Sequence, residues 1–441
     1  MTNPNTLSRF SPQQTVGDKL GVISWRASSL KLSCGVSCFP PFCYTNHLLG
    51  SWLILLRLGF PLGYGVFQDY YAKEPEFEGN SNIATIGTIS TSLYFLGAPF
   101  AAPLVKRFHR WQRHMIIFGS AICVLSLLLA SFVTTVTGLI LTQGVLYGLG
   151  FLILYMPMLY MLNEWFVKKR GFAYGVLYAG SGFSGIGIPF LLDWLLSSYG
   201  RQTTLRIVSV AQLVLVAPSL PLLKGRLPLS QRGAIQPIDL DFFKKPLFWV
   251  FIISNTFQGL AYYIPPLYLP TVASAMGLSG TVGALILASN NLACVFGQVG
   301  FGYLTDRFHN IFVLVALSTF AASLAAFTLW GFAHTLATLL MFAIVYGLFA
   351  GAYVVYWPKF GTMLSDDPQP VYALMAFGKG VGNIVTGPIS AGLMSGYIST
   401  GEYGLNKFAP GIIFVGCLMM CSSLSVVGWP LKRFLLPRFT L

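Results

Sequence analysis

Ionisable side chains are scarce inside the long apolar runs of this 441-residue chain, and their scarcity singles out two cations. Lys379 lies about 12 Å into a run that starts near Val371, counting about 1.5 Å per residue. Arg57 lies near the middle of an earlier run, 49–67. Burying such a charge at membrane depth costs roughly 2.5–3.5 kcal/mol on insertion scales, so it faces a cavity or a partner and marks a candidate site. An ammonium in a low-dielectric cavity attracts a carboxylate far more strongly than it would in water. No acidic residue stands at a matching depth in the other runs, so the missing counter-charge could be a bound organic anion. Gly378, Gly380 and Gly382 flank Lys379 and let a neighbouring backbone or a ligand come close. The competing reading for Lys379 is a side chain snorkelling to the headgroups; for Arg57 it is a segment that departs from a regular span.

Uncharged polar residues add weaker candidates. Gln143, Asn255, Gln258, Asn290, Asn291, Gln298 and Asn383 lie in apolar runs. Each can bond a solute, or join two helices at about 0.6 kcal/mol. Asn290 and Asn291 are adjacent, so both cannot hide on one helix face. Tyr155, Tyr262, Tyr263 and Trp357 offer aromatic surface. The expected solute-binding set is Lys379, Arg57, Asn290, Asn291, Gln298, Gln143, Tyr155 and Asn383. At run ends, Glu164 and Arg170 could pair as a gate, whereas Asp193 reads as a boundary residue.

Enzyme chemistry finds no support in the sequence. The five histidines fall in the tail, loops or run ends, and no acid sits mid-run. Four of the seven cysteines (Cys123, Cys294, Cys417, Cys421) lie in apolar runs, where thiols act as small hydrophobes. The other three (Cys34, Cys38, Cys43) lack the histidines or acids of a zinc site. The glycine-rich stretches 175–187 and 378–387 follow no strand and end in no Gly-Lys-Ser/Thr, so they are not phosphate loops. No metal or cofactor is expected, and no direct use of ATP.

The elements that must position these residues are membrane helices. The chain is 55% hydrophobic and 9% charged, against about 25% charged in soluble domains. Apolar runs occur at 49–67, 82–105, 114–133, 136–161, 171–197, 204–223, 246–272, 281–304, 311–331, 335–357, 371–397 and 409–431. Each approaches the roughly 20 residues of a spanning helix. The spacing predicts an all-α polytopic membrane protein of about twelve transmembrane helices in two pseudo-symmetric six-helix bundles, at 49–224 and 246–431. A tail (1–48), a linker (225–245) and a short end (432–441) complete it.

The net charge of +14 sits in short clusters between runs rather than on one face, which argues for topology signals and against a nucleic-acid partner. Loops with Lys106, Arg107, Arg110 and Arg113, with Lys168, Lys169 and Arg170, and with Lys224 to Lys245 alternate with base-poor ones. By the positive-inside rule both termini are cytoplasmic, and the plasma membrane is the expected location. The halves also repeat. Leu104-Val105-Lys106-Arg107-Phe108-His109 returns as Leu304-Thr305-Asp306-Arg307-Phe308-His309, an offset of 200. Tyr147-Gly148-Leu149 returns as Tyr346-Gly347-Leu348, and Gly180-Ser181-Gly182 as Gly378-Lys379-Gly380. Parallel repeats with solute held between them are a secondary-transporter architecture.

Gly302-Tyr303-Leu304-Thr305-Asp306-Arg307 resembles the signature loop of the major facilitator superfamily, which makes Asp306 and Arg307 candidate gate residues. Ala102-Pro103-Leu104-Val105-Lys106-Arg107 resembles a degraded copy, with Lys106 where an acid is usual. Four further stretches resemble the monocarboxylate-transporter-like branch of fungal proteins: Gly65-Val66-Phe67-Gln68-Asp69-Tyr70-Tyr71, Thr142-Gln143-Gly144-Val145-Leu146-Tyr147-Gly148, Glu164-Trp165-Phe166-Val167-Lys168-Lys169-Arg170-Gly171 and Gly378-Lys379-Gly380-Val381-Gly382-Asn383. The resemblance covers 62–431. It implies alternating access by a transporter in the lipid bilayer, moving a small-molecule solute of monocarboxylate type; protons are a candidate coupling partner, through a Lys379 that is neutral when empty and charged when loaded. The first helix lacks the branch's usual Asp-Gly-Gly-Trp-Gly-Trp type stretch. Cys294 and Gln298 stand where animal carriers have the Asp and Arg tied to proton–lactate symport, so that activity is not implied. Export or facilitated passage of a riboflavin-like or secondary-metabolite solute is the alternative within the same resemblance, and a non-transporting sensor is a further one.

Overall fold

A segment surrounded by lipid has to satisfy its own N–H and C=O groups, and the apolar runs do so as helices. The structure is a computed structural model. It describes residues 60–77, 82–165, 170–222, 241–308, 310–365, 368–395 and 403–430, apart from Leu62 and Asn406. All of these fall in one unit, 37–441, and no strand occurs among them.

Most helices follow the expected runs within a few residues. The first half holds α1 (Tyr64–Lys73), α2 (Ile83–Leu96), α3 (Ala98–Arg107), α4 (Gln112–Ala130), α5 (Tyr147–Trp165) and α6 (Arg170–Val216). The second holds α7 (Pro246–Tyr262), α8 (Ile264–Ala275), α9 (Gly280–Arg307), α10 (Ile311–Ala325), α11 (Leu336–Ala350), α12 (Trp357–Leu364), α13 (Pro368–Ser395) and α14 (Ala409–Ser423). The run 136–161 opens with Val136–Leu139 and a π-helical stretch, Ile140–Leu146, before α5, and the runs 171–197 and 204–223 form the two arms of α6. Among the described residues eight helices are long and apolar enough to cross a membrane, or up to nine if the α2–α3 pair, bent by 45°, is one span. Most of the first run lies outside the described residues. Its helix continues to Lys73 rather than stopping at 67, closed by an i,i+4 pair between Lys73 and Asp69 at 2.6 Å.

Local chemistry sets the breaks. The 47-residue α6 turns at Gly200, whose φ of 69° needs a residue without Cβ. Its two arms lie side by side, since residues 184–195 and 207–215 line a common groove. The next residue, Arg201, is buried and anchors the turn: it donates to the Val133 carbonyl at 2.6 Å and to Glu76 at 3.2 Å. Thr335 and Thr338 cap the start of α11 reciprocally. Between α11 and α12 the chain tightens into a 3₁₀ stretch, Gly351–Tyr356.

Glycines let helices touch backbone to backbone. A methyl at Gly297 of α9 would overlap the Leu348 carbonyl of α11, and one at Gly347 would overlap the Asn290 carbonyl. Gly175 of α6 lies against the backbone of Gln298 in the same way. α13 packs on α2 and α7, and α9 on α6 and α11. The glycine-rich stretches of α6 and α13 are therefore packing faces between first-half and second-half helices, as small residues in membrane helices generally are.

Candidate functional site

Two prolines shape the site. Pro265 and Pro266 have no N–H to offer the carbonyls four residues back, at Ala261 and Tyr262, so α7 stops at Tyr262. The freed carbonyls both accept from the Tyr346 hydroxyl of α11, at 3.3 and 3.4 Å. The break leaves the Tyr262 and Tyr263 rings in a corner, with centroids 4.9 Å apart and planes at 82°. Lys379 reaches that corner from α13. Its glycine neighbours seat the helix: Cβ atoms at Gly378, Gly380 and Gly382 would strike Ile252, Leu96 and the Thr256–Leu260 backbone respectively.

The Lys379 side chain is 1% exposed. Its Nζ donates to Gln258 Oε1 at 3.1 Å and lies 4.1 Å from the Tyr262 ring centroid. Phe95, Tyr263 and Trp357 surround it at 5.9–6.0 Å. Ring faces attract a cation through their quadrupoles, and no ion pair among the described residues includes Lys379. Supporting groups are fixed in turn. Gln258 Nε2 donates to the Ala350 carbonyl at 3.1 Å, where the 3₁₀ stretch begins. Asn255 donates to the Met375 carbonyl at 2.5 Å and accepts from Trp357 Nε1 at 2.9 Å.

Lys379 opens on a cavity of about 40 Å³, lined also by Tyr94, Phe95, Tyr178, Gly182, Tyr262, Tyr263, Asn291, Cys294, Gln298 and Val354. That volume holds a few waters, whereas sites for drug-sized ligands occupy about 300–1,000 Å³. A drug-sized solute would enter only if these walls part. Those walls come from α2 and α6 of the first half and from α7, α9, the Gly351–Tyr356 stretch and α13 of the second.

Contacts between the halves close both ends. Toward the basic end carrying Arg107 and Arg307, three phenols interlock: Tyr155 with Tyr178 at 2.8 Å, Tyr178 with Tyr372 at 2.5 Å, and Tyr155 with Tyr372 at 3.4 Å. At the opposite end, Ser274 of α8 donates to Asp69 of α1 at 3.2 Å. There too Thr281 of α9 donates to Asp193 of α6 at 3.2 Å.

The expected residues divide accordingly. Lys379, Asn291 and Gln298 line the cavity, and Tyr155 sits one hydrogen bond behind it through Tyr178. Asn291 Nδ2 donates to the Gly185 carbonyl at 2.9 Å and Gln298 Nε2 to the Gly351 carbonyl at 3.4 Å, so both also join helices. Gln143 lies elsewhere, bonded to the Tyr71 hydroxyl at 3.3 Å. Asn290 is buried but is not one of the lining residues; its backbone rests on α11. Asn383, one turn from Lys379, is buried with both amide atoms unpartnered among the described residues. Asp306 and Arg307 are exposed, with Arg307 over the Tyr303 ring at 5.4 Å. Arg57 and the side chains of Glu164 and Arg170 lie outside the described residues. Tyr94, Phe95, Tyr178 and Tyr372 were missed. Only the i,i+4 spacing of Tyr174 and Tyr178 hinted at a shared face.

Comparison with known proteins agrees with this architecture. The chain is 27% identical over 392 residues to the MFS transporter asaE of Aspergillus flavus, covering 87% of each. It is 26% identical to the aspyridones efflux protein apdF of Emericella nidulans, over 87% of this chain and 78% of that one. It is 27% identical to the fujikurins efflux protein of Gibberella fujikuroi, over 85% and 81%. The crystal structure of the nucleoside transporter NupG superposes with a TM-score of 0.61 at 16% identity, over 88% of this chain and 98% of that one, and shares the fold. With the profile of the Major Facilitator Superfamily matching residues 67–387, and helices, cavity and relatives in agreement, the chain belongs to that superfamily of transporters.

Proposed function

We propose that this transporter exports a small organic anion by alternating access, with Lys379 as the charge that receives it. The observation that carries the reading is a buried lysine amine, between the two halves of the molecule, whose described partners are an uncharged amide and aromatic rings. Charged groups at membrane depth mark solute paths, and a carboxylate arriving there gains far more Coulomb energy than in water. Outward direction is supported by relatives that bear efflux names. The acidic character of the solute is supported by Lys379 and by the motifs of the monocarboxylate-transporter-like branch. The alternation of basic and base-poor loops supports cytoplasmic termini; a plasma-membrane location goes with the proposed export, and protons are the proposed coupling ion.

The test is transport by purified protein in liposomes, screened against a panel of organic acids with and without a pH gradient. Lys379→Gln should reach the membrane at the wild-type level and lose transport of the accepted acid at least tenfold, about 1.4 kcal/mol. A Gln variant that transports the acid at the normal rate and affinity would remove the anion assignment.

A further inference from the structure

We infer that the transported acid is planar and conjugated, an aromatic carboxylate or an acidic enol, held with its charge on Lys379 and its ring face in the Tyr262–Tyr263 corner. This rests on the reading of Lys379 as the anion's partner. Several amides in and behind the cavity wall are already engaged. The Gln258 amide spans Lys379 and the Ala350 carbonyl. Both ends of the Asn255 amide are taken by Met375 and Trp357. Asn291 and Gln298 donate to backbone carbonyls of Gly185 and Gly351. A small aliphatic hydroxy acid, which needs several polar partners for its area, would compete with the bonds of the two lining amides, Asn291 and Gln298.

Ring surface lines much of the cavity, part of it facing the Lys379 amine, which lies 4.1 Å from the Tyr262 centroid. Tyr262 and Tyr263 meet at 82°, so a flat ring can stack on one and meet the edge of the other, the two favoured aromatic geometries. Phe95 stands across the ammonium on α2 of the other half, 5.9 Å from Nζ, and would withdraw as the halves part. Gln258 accepts one of the ammonium's three N–H donors; the others remain for a carboxylate or enolate. Gln298 Oε1 is buried and unpartnered among the described residues. It fits one donor on the solute, such as a phenol or an amide N–H.

Equilibrium binding to the purified full-length protein in nanodiscs, with three probes of one skeleton, separates shape from charge. The probes are 2-naphthoate, its fully saturated decahydro analogue, and neutral 2-naphthylmethanol. Naphthoate should bind about 3- to 10-fold tighter than the saturated acid, although the saturated acid partitions better into lipid. Naphthoate should also bind tighter than the alcohol. Tyr262→Leu, or Tyr263→Leu should the first fold poorly, should bring the affinities for naphthoate and for the saturated acid within twofold of each other. Lys379→Gln should abolish the preference for acid over alcohol. If the saturated acid binds wild type as tightly as naphthoate, the planar inference falls and the anion reading stands. If acid and alcohol bind alike, the anion reading falls and takes the inference with it. If neither acid binds below about 1 mM, both are overturned.

Discussion

At the scale of single residues, the contrast between Lys379 and Asn255 separates function from folding. Lys379 has one amide oxygen and ring faces for company. A buried cation without a counter-charge lowers stability, and an apolar side chain of similar length relieves that cost. Lys379→Met should therefore unfold thermally at the wild-type temperature or a few degrees above it while losing anion transport. A fall of several degrees, measured on purified protein in detergent, would make the ammonium a structural group. Asn255 behaves oppositely. Asn255→Ala orphans the buried Trp357 indole N–H at about 1–3 kcal/mol and removes the added bond to the Met375 carbonyl, which keeps its helical donor. Its melting temperature should drop clearly; an unchanged one would mean that water replaces both bonds.

At the scale of elements, the break between α7 and α8 couples backbone chemistry to the cavity. The prolines free two carbonyls and Tyr346 takes both. Tyr346→Phe keeps the ring and removes only the hydroxyl, so α11 should still pack. The Tyr262 carbonyl loses its described donor at about 1–3 kcal/mol, while the Ala261 carbonyl keeps the Tyr263 N–H, and the corner that holds Tyr262 loosens. The expected outcome is weaker solute affinity at a normal protein level, read from concentration-dependent transport; an affinity within twofold of wild type would show that the break holds itself. Gly297 is less forgiving. Any side chain there meets the Leu348 carbonyl, which is backbone and cannot turn aside, so Gly297→Val should yield little folded protein by size-exclusion profile.

At the scale of the whole molecule, a transporter that alternates has to break one set of contacts between its halves while keeping the other. Asp193–Thr281 and Asp69–Ser274 close one end, and the three-tyrosine cluster closes toward the basic end. In a background without native cysteines, Asp193→Cys with Thr281→Cys should form a cross-link that stops transport and is reversed by reductant. Transport that continues with the bond formed would exclude opening at that end. Sidedness is tested independently. Pro75→Cys and Ile235→Cys should react with an impermeant thiol reagent from opposite faces of the membrane, as the loop charges require. Reaction from one face would overturn the proposed arrangement of spans.

Much of the fold was legible in sequence because lipid as solvent leaves few options. A run of about 20 apolar residues has to close its own hydrogen bonds as a helix, and most helices from α2 to α14 follow the runs within a few residues. Lys379 stood out for the same reason: a cation in such a run needs a cavity or an exit, and the structure gives it a cavity. The break at Tyr262 was written in Pro265 and Pro266, which lack N–H groups whatever surrounds them.

What tertiary structure alone decided is which polar and aromatic residues face that cavity. Successive residues on a helix point about 100° apart, so Asn291 lines the site while its neighbour Asn290 does not. Gln143 looked equivalent to Gln298 in type and setting, yet it meets Tyr71. Aromatic residues make up 15% of the chain, so nothing in their number distinguished Tyr94, Phe95, Tyr178 and Tyr372. They matter because helices from different halves bring them within reach of Lys379 or of one another. Asp193 read as a boundary charge until Thr281 was found opposite it. A sequence specifies which segments are helices and which side chains are costly to bury. The partner of a side chain more than a few turns away depends on how helices lean and rotate together, a property of the packed assembly that no local pattern encodes.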